Sequence, residues 1–150
     1  MPLSSSIVIT DWAALTTITG SWSSNTSYDG TFARVNDTMN ARVGILLSGA
    51  PTSADLSLDV PNGEAVDESK LPTIVGTALY PVGSFVIFDD NVSEERGAGQ
   101  IFYNRSSNEL DFYIVTTAPN TMTQVDQATP ITFANNDYIS AEFSIPITGW

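Results

Sequence analysis

Cysteine and histidine are both absent from this 150-residue sequence, and each absence excludes several kinds of site. Without cysteine the chain forms neither a disulfide framework nor a thiolate metal site, so its stability must come from packing and association. Without histidine it lacks the commonest general base, the commonest zinc ligand and the usual activator of a nucleophilic serine. We therefore expect no cofactor and no serine or cysteine nucleophile.

Basic residues are also scarce. Five lysines and arginines stand against seventeen acidic residues, which gives a net charge of −12, and Lys70 is the single lysine. A surface that binds the phosphate backbone needs the opposite field, so nucleic acid is excluded as an expected partner.

Long apolar runs are missing as well. No run of eighteen apolar residues is available for a membrane helix, and residues 1–9 lack the positive and apolar regions of a secretory signal. Hydrophobic residues nevertheless make up 42% of the chain against 15% charged, which is too apolar for disorder. We expect one folded domain over residues 1–150, with no membrane insertion and no export signal.

Short alternating segments follow one another along the chain and predict strands. Residues 28–35 and 38–47 flank Asn36-Asp37, a connection typical of a tight hairpin. Residues 98–103 and 109–116 predict a second hairpin, and the closing strand alternates from Ile139 onward. In all we expect nine or ten short strands and no long helix, which is the pattern of an all-β antiparallel sandwich or barrel.

The remaining segments carry weaker patterns. Residues 7–9 and 15–19 predict one bent strand or two short ones. Strands are expected at 56–60, at 73–80 up to Pro81, and at 84–88. Exposed or irregular segments are expected at 64–72, at a charged tip formed by residues 94–97, and at 118–130.

Several predicted strands carry apolar residues on their outer face too. A sandwich needs only its inner faces apolar, so the excess predicts a second buried surface, which a symmetric subunit interface would supply. The alternative is that some strands are buried on both faces within one subunit. The ring of Trp150 is expected to dock in the core or against a partner. The interface candidates are Leu46, Phe88, Phe102, Tyr113 and Trp150, with Val86 sharing the pattern.

Three stretches carry motifs of a known family, and the likeness extends over essentially the whole chain. They are Thr10-Asp11-Trp12 with Thr19-Gly20-Ser21-Trp22 and Asn25-Thr26-Ser27-Tyr28, the segment 32–39, and the ending Ala134-Asn135-x-Asp137 through Pro146-Ile147-x-Gly149-Trp150. The chain thereby resembles the C-terminal head modules of phage tail-fibre and other virion proteins. Phe32, Ala33 and Asn36 depart from the usual Trp-Arg-Arg-Val-Gly-Asp of the middle segment.

The resemblance implies a jelly-roll β-sandwich similar to C1q and tumour necrosis factor, assembled as a homotrimer. It also implies a place in the virion, on a tail fibre or another appendage, after synthesis in the host cytoplasm. Other virion proteins and a host-surface component would be its partners.

Two sets of side chains invite a chemical interpretation. Asp89, Asp90, Asn91, Glu94 and Glu95 offer oxygen ligands for calcium, but they lack the spacing of a calcium loop, and a solvated charged tip is the expected state. Among seventeen acids some pair will meet the carboxylate spacing of a glycosidase by chance, yet no motif singles out a pair, so we expect no enzyme.

Sugar recognition fits the composition better, because exposed aromatic rings stack on sugar faces while polar groups bind the hydroxyls. The receptor-binding candidates are Trp22, Tyr28, Tyr80 and Tyr103. The alternative is that Trp12, Trp22 and Trp150 cap the ends of the sandwich or the trimer seam.

The leading hypothesis is thus a trimeric tail-fibre tip that binds a host-surface glycan through variable loops at 21–27, 63–71, 89–99 and 119–129. A trimeric decoration or capping protein without a receptor site is the second. A depolymerase of host polysaccharide is the third.

Overall fold

The computed structural model describes residues 6–72, 78–91, 94–115 and 121–150, with the backbone alone described at 94–96. It is all-β, with about 53% strand and 5% helix. Single 3-10 turns lie at Pro61–Gly63 and Glu68–Lys70. The strands in the described ranges are β1 (Ala13–Ala14), β2 (Thr26–Val35), β3 (Thr38–Leu47), β4 (Ser57–Asp59), β5 (Leu79–Asp89), β6 (Glu94–Asn104), β7 (Glu109–Val115), β8 (Met122–Gln124) and β9 (Tyr138–Pro146).

The nine strands form one antiparallel sheet in the order β1-β2-β3-β9-β5-β6-β7-β4, and β8 pairs with β7. Residues just before β2 contact β4, at the other end of this order. Gly20 forms a bridge with Leu58, and the Ser21 N–H donates to the Ser57 carbonyl at 3.0 Å. The sheet therefore folds over so that its two ends meet. The predicted all-β antiparallel fold is confirmed, and this arrangement is consistent with a β-sandwich.

One hydrophobic core fills the space inside the folded sheet. Its centre is β9, which lies between β3 and β5. Ile139 pairs with Ile45 on one side and with Ile87 on the other, and Phe85 contacts Phe112 with ring centroids 5.1 Å apart. Because alternate residues point to the same face, each of these strands places every second side chain in the core.

Both predicted hairpins are confirmed. Strands β2 and β3 pair over their full length across Asn36-Asp37, and Asn36 has a φ of +55°. Strands β6 and β7 pair across a turn that ends at Asn108, whose φ is +60°. Asparagine tolerates this left-handed conformation better than most other side chains with a Cβ. The asparagines in the two turns therefore allowed both hairpins to be predicted from the local sequence.

Pro81 does not end a strand as predicted, because β5 runs through it. The strand pairs with β9 only from Gly83 onward, and the register against β6 shifts between Pro81 and Gly83. A proline lacks the N–H that a second neighbour would require, so it is tolerated where the strand has a free edge and a bulge.

Two further boundaries differ from expectation. Residues 94–97 were predicted as a charged tip but begin β6, since Asp89 of β5 still pairs with Glu94. Residues 15–19 form no strand: the backbone N–H groups of Thr16 and Thr17 donate to Asn62 Oδ1 at 2.8 and 3.2 Å, so a side chain replaces the strand partner. The predicted strand 56–60 shortens to β4, and the predicted loop 64–72 contains a 3-10 turn. The predicted residues 73–77, 116 and 118–120 lie outside the described ranges.

Paired isoleucine variants test the location of the core. Ile139 is fully buried, whereas Ile7 is 72% exposed. We expect Ile139→Ala to lower the free energy of unfolding by about 2–5 kcal/mol through lost burial and a cavity, and Ile7→Ala to lower it by less than about 0.5 kcal/mol. Urea unfolding followed by fluorescence measures both, and similar losses would contradict the assignment of the core.

Candidate functional site

Trp22, the first receptor-binding candidate, is fully buried. Its ring packs edge-on against Phe133 with centroids 5.1 Å apart, and its Nε1–H donates to the Ala54 carbonyl at 2.9 Å. The prediction that this indole is exposed for sugar stacking is therefore wrong. The polar residues around it in the sequence bond to the segment 50–57 and leave the ring facing the core.

The three tyrosine candidates do not form an exposed platform either. Tyr80 and Tyr103 are each only 2% exposed, so both predictions of an exposed ring are wrong. The Tyr103 hydroxyl lies 2.9 Å from Glu68 Oε1, and Arg105 lies over the Tyr80 ring at 4.8 Å. Tyr28 is half-buried, and its hydroxyl donates to the Trp22 carbonyl at 2.7 Å. The hydroxyls of Tyr28 and Tyr103 are thus bonded within the fold, whereas the Tyr80 hydroxyl is buried with no hydrogen-bond partner among the described residues.

The interface candidates lie on the surface in three separate places. Leu46 is 52% exposed and pairs with Tyr138, which in turn stacks on Phe88 with centroids 4.5 Å apart. Phe102 contacts Tyr113 edge-on at 5.5 Å on the outer face of β6 and β7.

Trp150 packs against its own chain. Its ring centroid is 6.1 Å from that of Phe32 and 5.1 Å from the Arg34 guanidinium, and the residue is half-buried.

The register of β2, β3, β9 and β5 places the outward side chains in four parallel rows. The apolar row is Ser27, Leu46, Tyr138 and Phe88; the glycine row is Asp29, Gly44, Ser140 and Val86; the charged row is Thr31, Arg42, Glu142 and Ser84; and the amide row is Ala33, Asn40 and Ser144. Strands bring these residues together from four separated parts of the sequence. The rows other than the apolar row carry mostly small or polar side chains.

A groove runs in the direction of the strands and crosses the glycine, charged and amide rows. We call it the outer groove. It consists of two adjoining depressions of about 560 and 590 Å³ that share Arg42, Ser84 and Glu142. Residues 9–12 form a wall beside the amide and charged rows. Trp12 in this wall is 48% exposed, and the Arg42 guanidinium lies 4.6 Å from its ring centroid. The groove therefore combines an accessible indole with hydroxyl, amide and charged groups.

Arg42 differs from the other basic side chains that the structure describes. Lys70 Nζ lies 2.5 Å from Asp37 and 3.2 Å from Asp67, Arg34 Nε donates to the Asn36 carbonyl, and Arg105 Nε lies 3.0 Å from Glu68 without an aligned hydrogen bond.

Arg42 and Glu142 face each other across β3 and β9, yet within the described residues neither charged group has a hydrogen-bond partner. The two groups therefore remain available to a ligand. Their position at the centre of the outer groove makes it the candidate site.

The outer groove was not predicted as a site, although part of its signal is present in the sequence. In the sequence Trp12 belongs only to a family motif and to the aromatic residues that could cap an end of the sandwich or the trimer seam. The alternation of β3 and β9 already assigns Arg42, Gly44, Ser140 and Glu142 to an outer face. Their side-by-side arrangement depends on the strand register, which a single sequence does not supply.

The predicted calcium cluster lies only partly within the described residues. The Asn91 N–H donates to Asp89 Oδ1 at 3.0 Å, whereas nothing is described of the side chains of Glu94 and Glu95. Calcium binding there stays an untested hypothesis. The loop predictions at 89–99 and 119–129 likewise include residues outside the described ranges.

No family model, no curated protein and no solved structure matches this chain. In the described part of the chain, no helix is both long enough and apolar enough to span a bilayer.

The buried phenols predict a loss of stability in alkali. Burial raises the pKa of Tyr28 to about 12, and burial together with Glu68 raises the pKa of Tyr103 to about 12. An unfolded tyrosine has a pKa of about 10, so above that pH the unfolded state releases these protons first. We expect the free energy of unfolding to be unaffected by these phenols below pH 10 and to fall between about pH 10 and 12.

Urea unfolding across that range measures the slope, and Tyr28→Phe should make it shallower. The exposed Tyr138→Phe serves as the control. A slope unchanged by Tyr28→Phe would contradict the burial of this phenol.

Proposed function

We propose that this protein is the trimeric tip domain of a phage virion appendage, most naturally a tail fibre, and that it binds a host-surface glycan for adsorption. The observation that carries the binding role is the outer groove, where an accessible indole lies beside a guanidinium and a carboxylate that have no hydrogen-bond partner among the described residues. The motif resemblance supports the place in the virion.

The chemistry of the outer groove suits a sugar. A pyranose ring has an apolar face that stacks on an aromatic ring and hydroxyls that both donate and accept hydrogen bonds. Trp12 offers the ring, Arg42 offers donors, and Glu142 offers acceptors. The hydroxyl groups of Ser84 and Ser140 lie next to them in the same groove.

The trimer is supported by two separate apolar patches. The first is the apolar row, and the second consists of Phe102 and Tyr113 with the exposed side chains of Val115 and Met122. In a closed ring of three subunits each interface joins two different surfaces of the chain. Contact between the first patch of one subunit and the second patch of the next would cover both.

Multivalency would then make weak sites sufficient. Three grooves on one trimer, and several fibres on one particle, turn a modest single-site affinity into firm attachment. Strands would supply the floor of the groove and the segment before β1 would supply Trp12, so the mode of recognition differs from the loop-based one expected from the sequence.

A purely structural role as a trimeric decoration or capping protein is the second candidate. The exposed apolar patches favour it, because they explain assembly without any receptor. It differs from the first proposal in assigning no ligand to the outer groove.

Substitutions in the groove test the binding role. We expect Trp12→Ala and Arg42→Ala each to weaken glycan binding about tenfold or more, which corresponds to about 1.4 kcal/mol or more. Trp12→Phe and Arg42→Lys should retain part of the affinity, because a ring and a charge remain. A glycan array and whole-cell binding by the purified trimer provide the measurement. Binding of no sugar, cell or envelope fraction would remove the receptor role and leave the structural one.

A charge placed in the first apolar patch tests the assembly. We expect Leu46→Glu to convert the trimer to monomers, because the carboxylate would be buried without a partner. Light scattering measures the subunit number, with Ser107→Glu in the exposed β6–β7 turn as the control for added charge. A wild-type chain that is monomeric at working dilution would contradict the trimer.

A further inference from the structure

The outer groove is longer than a single sugar ring. Successive rows lie two residues apart along each strand, which corresponds to about 7 Å. The glycine, charged and amide rows therefore extend over about 13 Å along the strand direction. The two depressions join at the charged row, so the floor is continuous from the glycine row to the amide row.

The floor of the groove is low at the glycine row. Along β3 this row follows the charged row, which in turn follows the amide row of Asn40. A Cβ added to Gly44 would meet nothing within 4 Å, and its neighbour in the row is the small, exposed Ser140. A glycine inside a strand often marks a place where a ligand approaches the backbone closely. At the opposite end the amide row offers Asn40 and Ser144, which bond to each other at 2.6 Å.

The charges of the groove disfavour a strongly anionic ligand. Asp29 and Glu142 outnumber Arg42 in it, and the whole chain carries a net charge of −12. An anionic polymer would meet a repulsive field on approach, whereas a neutral chain would not. Arg42 and Glu142 side by side match adjacent hydroxyls of one sugar, which offer an acceptor and a donor.

We infer that the ligand is a neutral, linear polysaccharide, bound along the strands through an internal segment of at least two sugar units. The inference rests on the proposed glycan-binding function and specifies its ligand class. One unit stacks at Trp12 and contacts Arg42 and Glu142, and the next lies over Gly44.

Oligosaccharide ladders test the inference by titration calorimetry. The neutral probes are malto-, cello-, chito- and manno-oligosaccharides of one to six units, and oligogalacturonates are the anionic probe. We expect one neutral series to bind, with an affinity that rises about tenfold or more from one unit to three and changes little with salt.

Variants that add a side chain at Gly44, in the floor of the groove, provide a second test. Gly44→Ala and Gly44→Val add increasing bulk over open space, so we expect them to weaken binding of the trisaccharide progressively, with a loss of about tenfold for valine. Binding of the single sugar should fall much less than that of the trisaccharide, whereas Trp12→Ala should weaken both. Thermal unfolding checks that the glycine variants remain folded.

The outcomes separate the two proposals. Equal affinity for one unit and three, stronger binding of oligogalacturonates, or full binding by Gly44→Val would overturn the inference while the glycan-binding function stands. Failure of every probe to bind would overturn the inference, and failure of the array and the cells as well would overturn the proposed function.

Discussion

The pairing of β9 between β3 and β5 is the constraint on which the rest of this structure depends. Ile139 and its alternate neighbours enter the core only in this register, because a slip by one residue would turn every side chain of β9 to the opposite face. The same register fixes the outer rows, since Glu142 reaches Arg42 only when Ile139 meets Ile45. Burial of the inner face therefore positions the strand residues of the outer groove, whereas Trp12 is supplied by the segment that precedes β1.

The parts of the fold that could be predicted are those with local causes. Asn36 accepts a positive φ within its own turn, so the β2–β3 hairpin can be predicted from the local sequence alone. Pro81 misled the prediction, because its tolerance depends on where the neighbouring strand β9 begins to pair with β5, which the local sequence does not show. Trp22 misled it more seriously, since the indole lies in a polar sequence and its burial depends on Phe133 and Ala54, which are distant in the chain.

The candidate site was less predictable than the fold for a related reason. A sequence pattern identifies aromatic residues of the kind that bind sugar, but their availability depends on which polar groups already bond within the fold. Tyr103 bonds within the fold, whereas Arg42 lies on Trp12 with its hydrogen-bonding capacity free of described protein partners. Such a distinction requires the three-dimensional arrangement.

Gly44 supports a ligand in the groove more directly than its charged neighbours do. It lies in the interior of β3, where glycine costs roughly 0.5–1 kcal/mol relative to alanine because it loses more backbone freedom. No positive φ requires a glycine there, and an added Cβ would meet no atom of the described residues within 4 Å. The fold alone would thus be stabilised by alanine at this position. A ligand or a partner that approaches the backbone explains the glycine, and the charged row on one side of it favours a hydroxyl-rich ligand, whereas the apolar row lies on its other side.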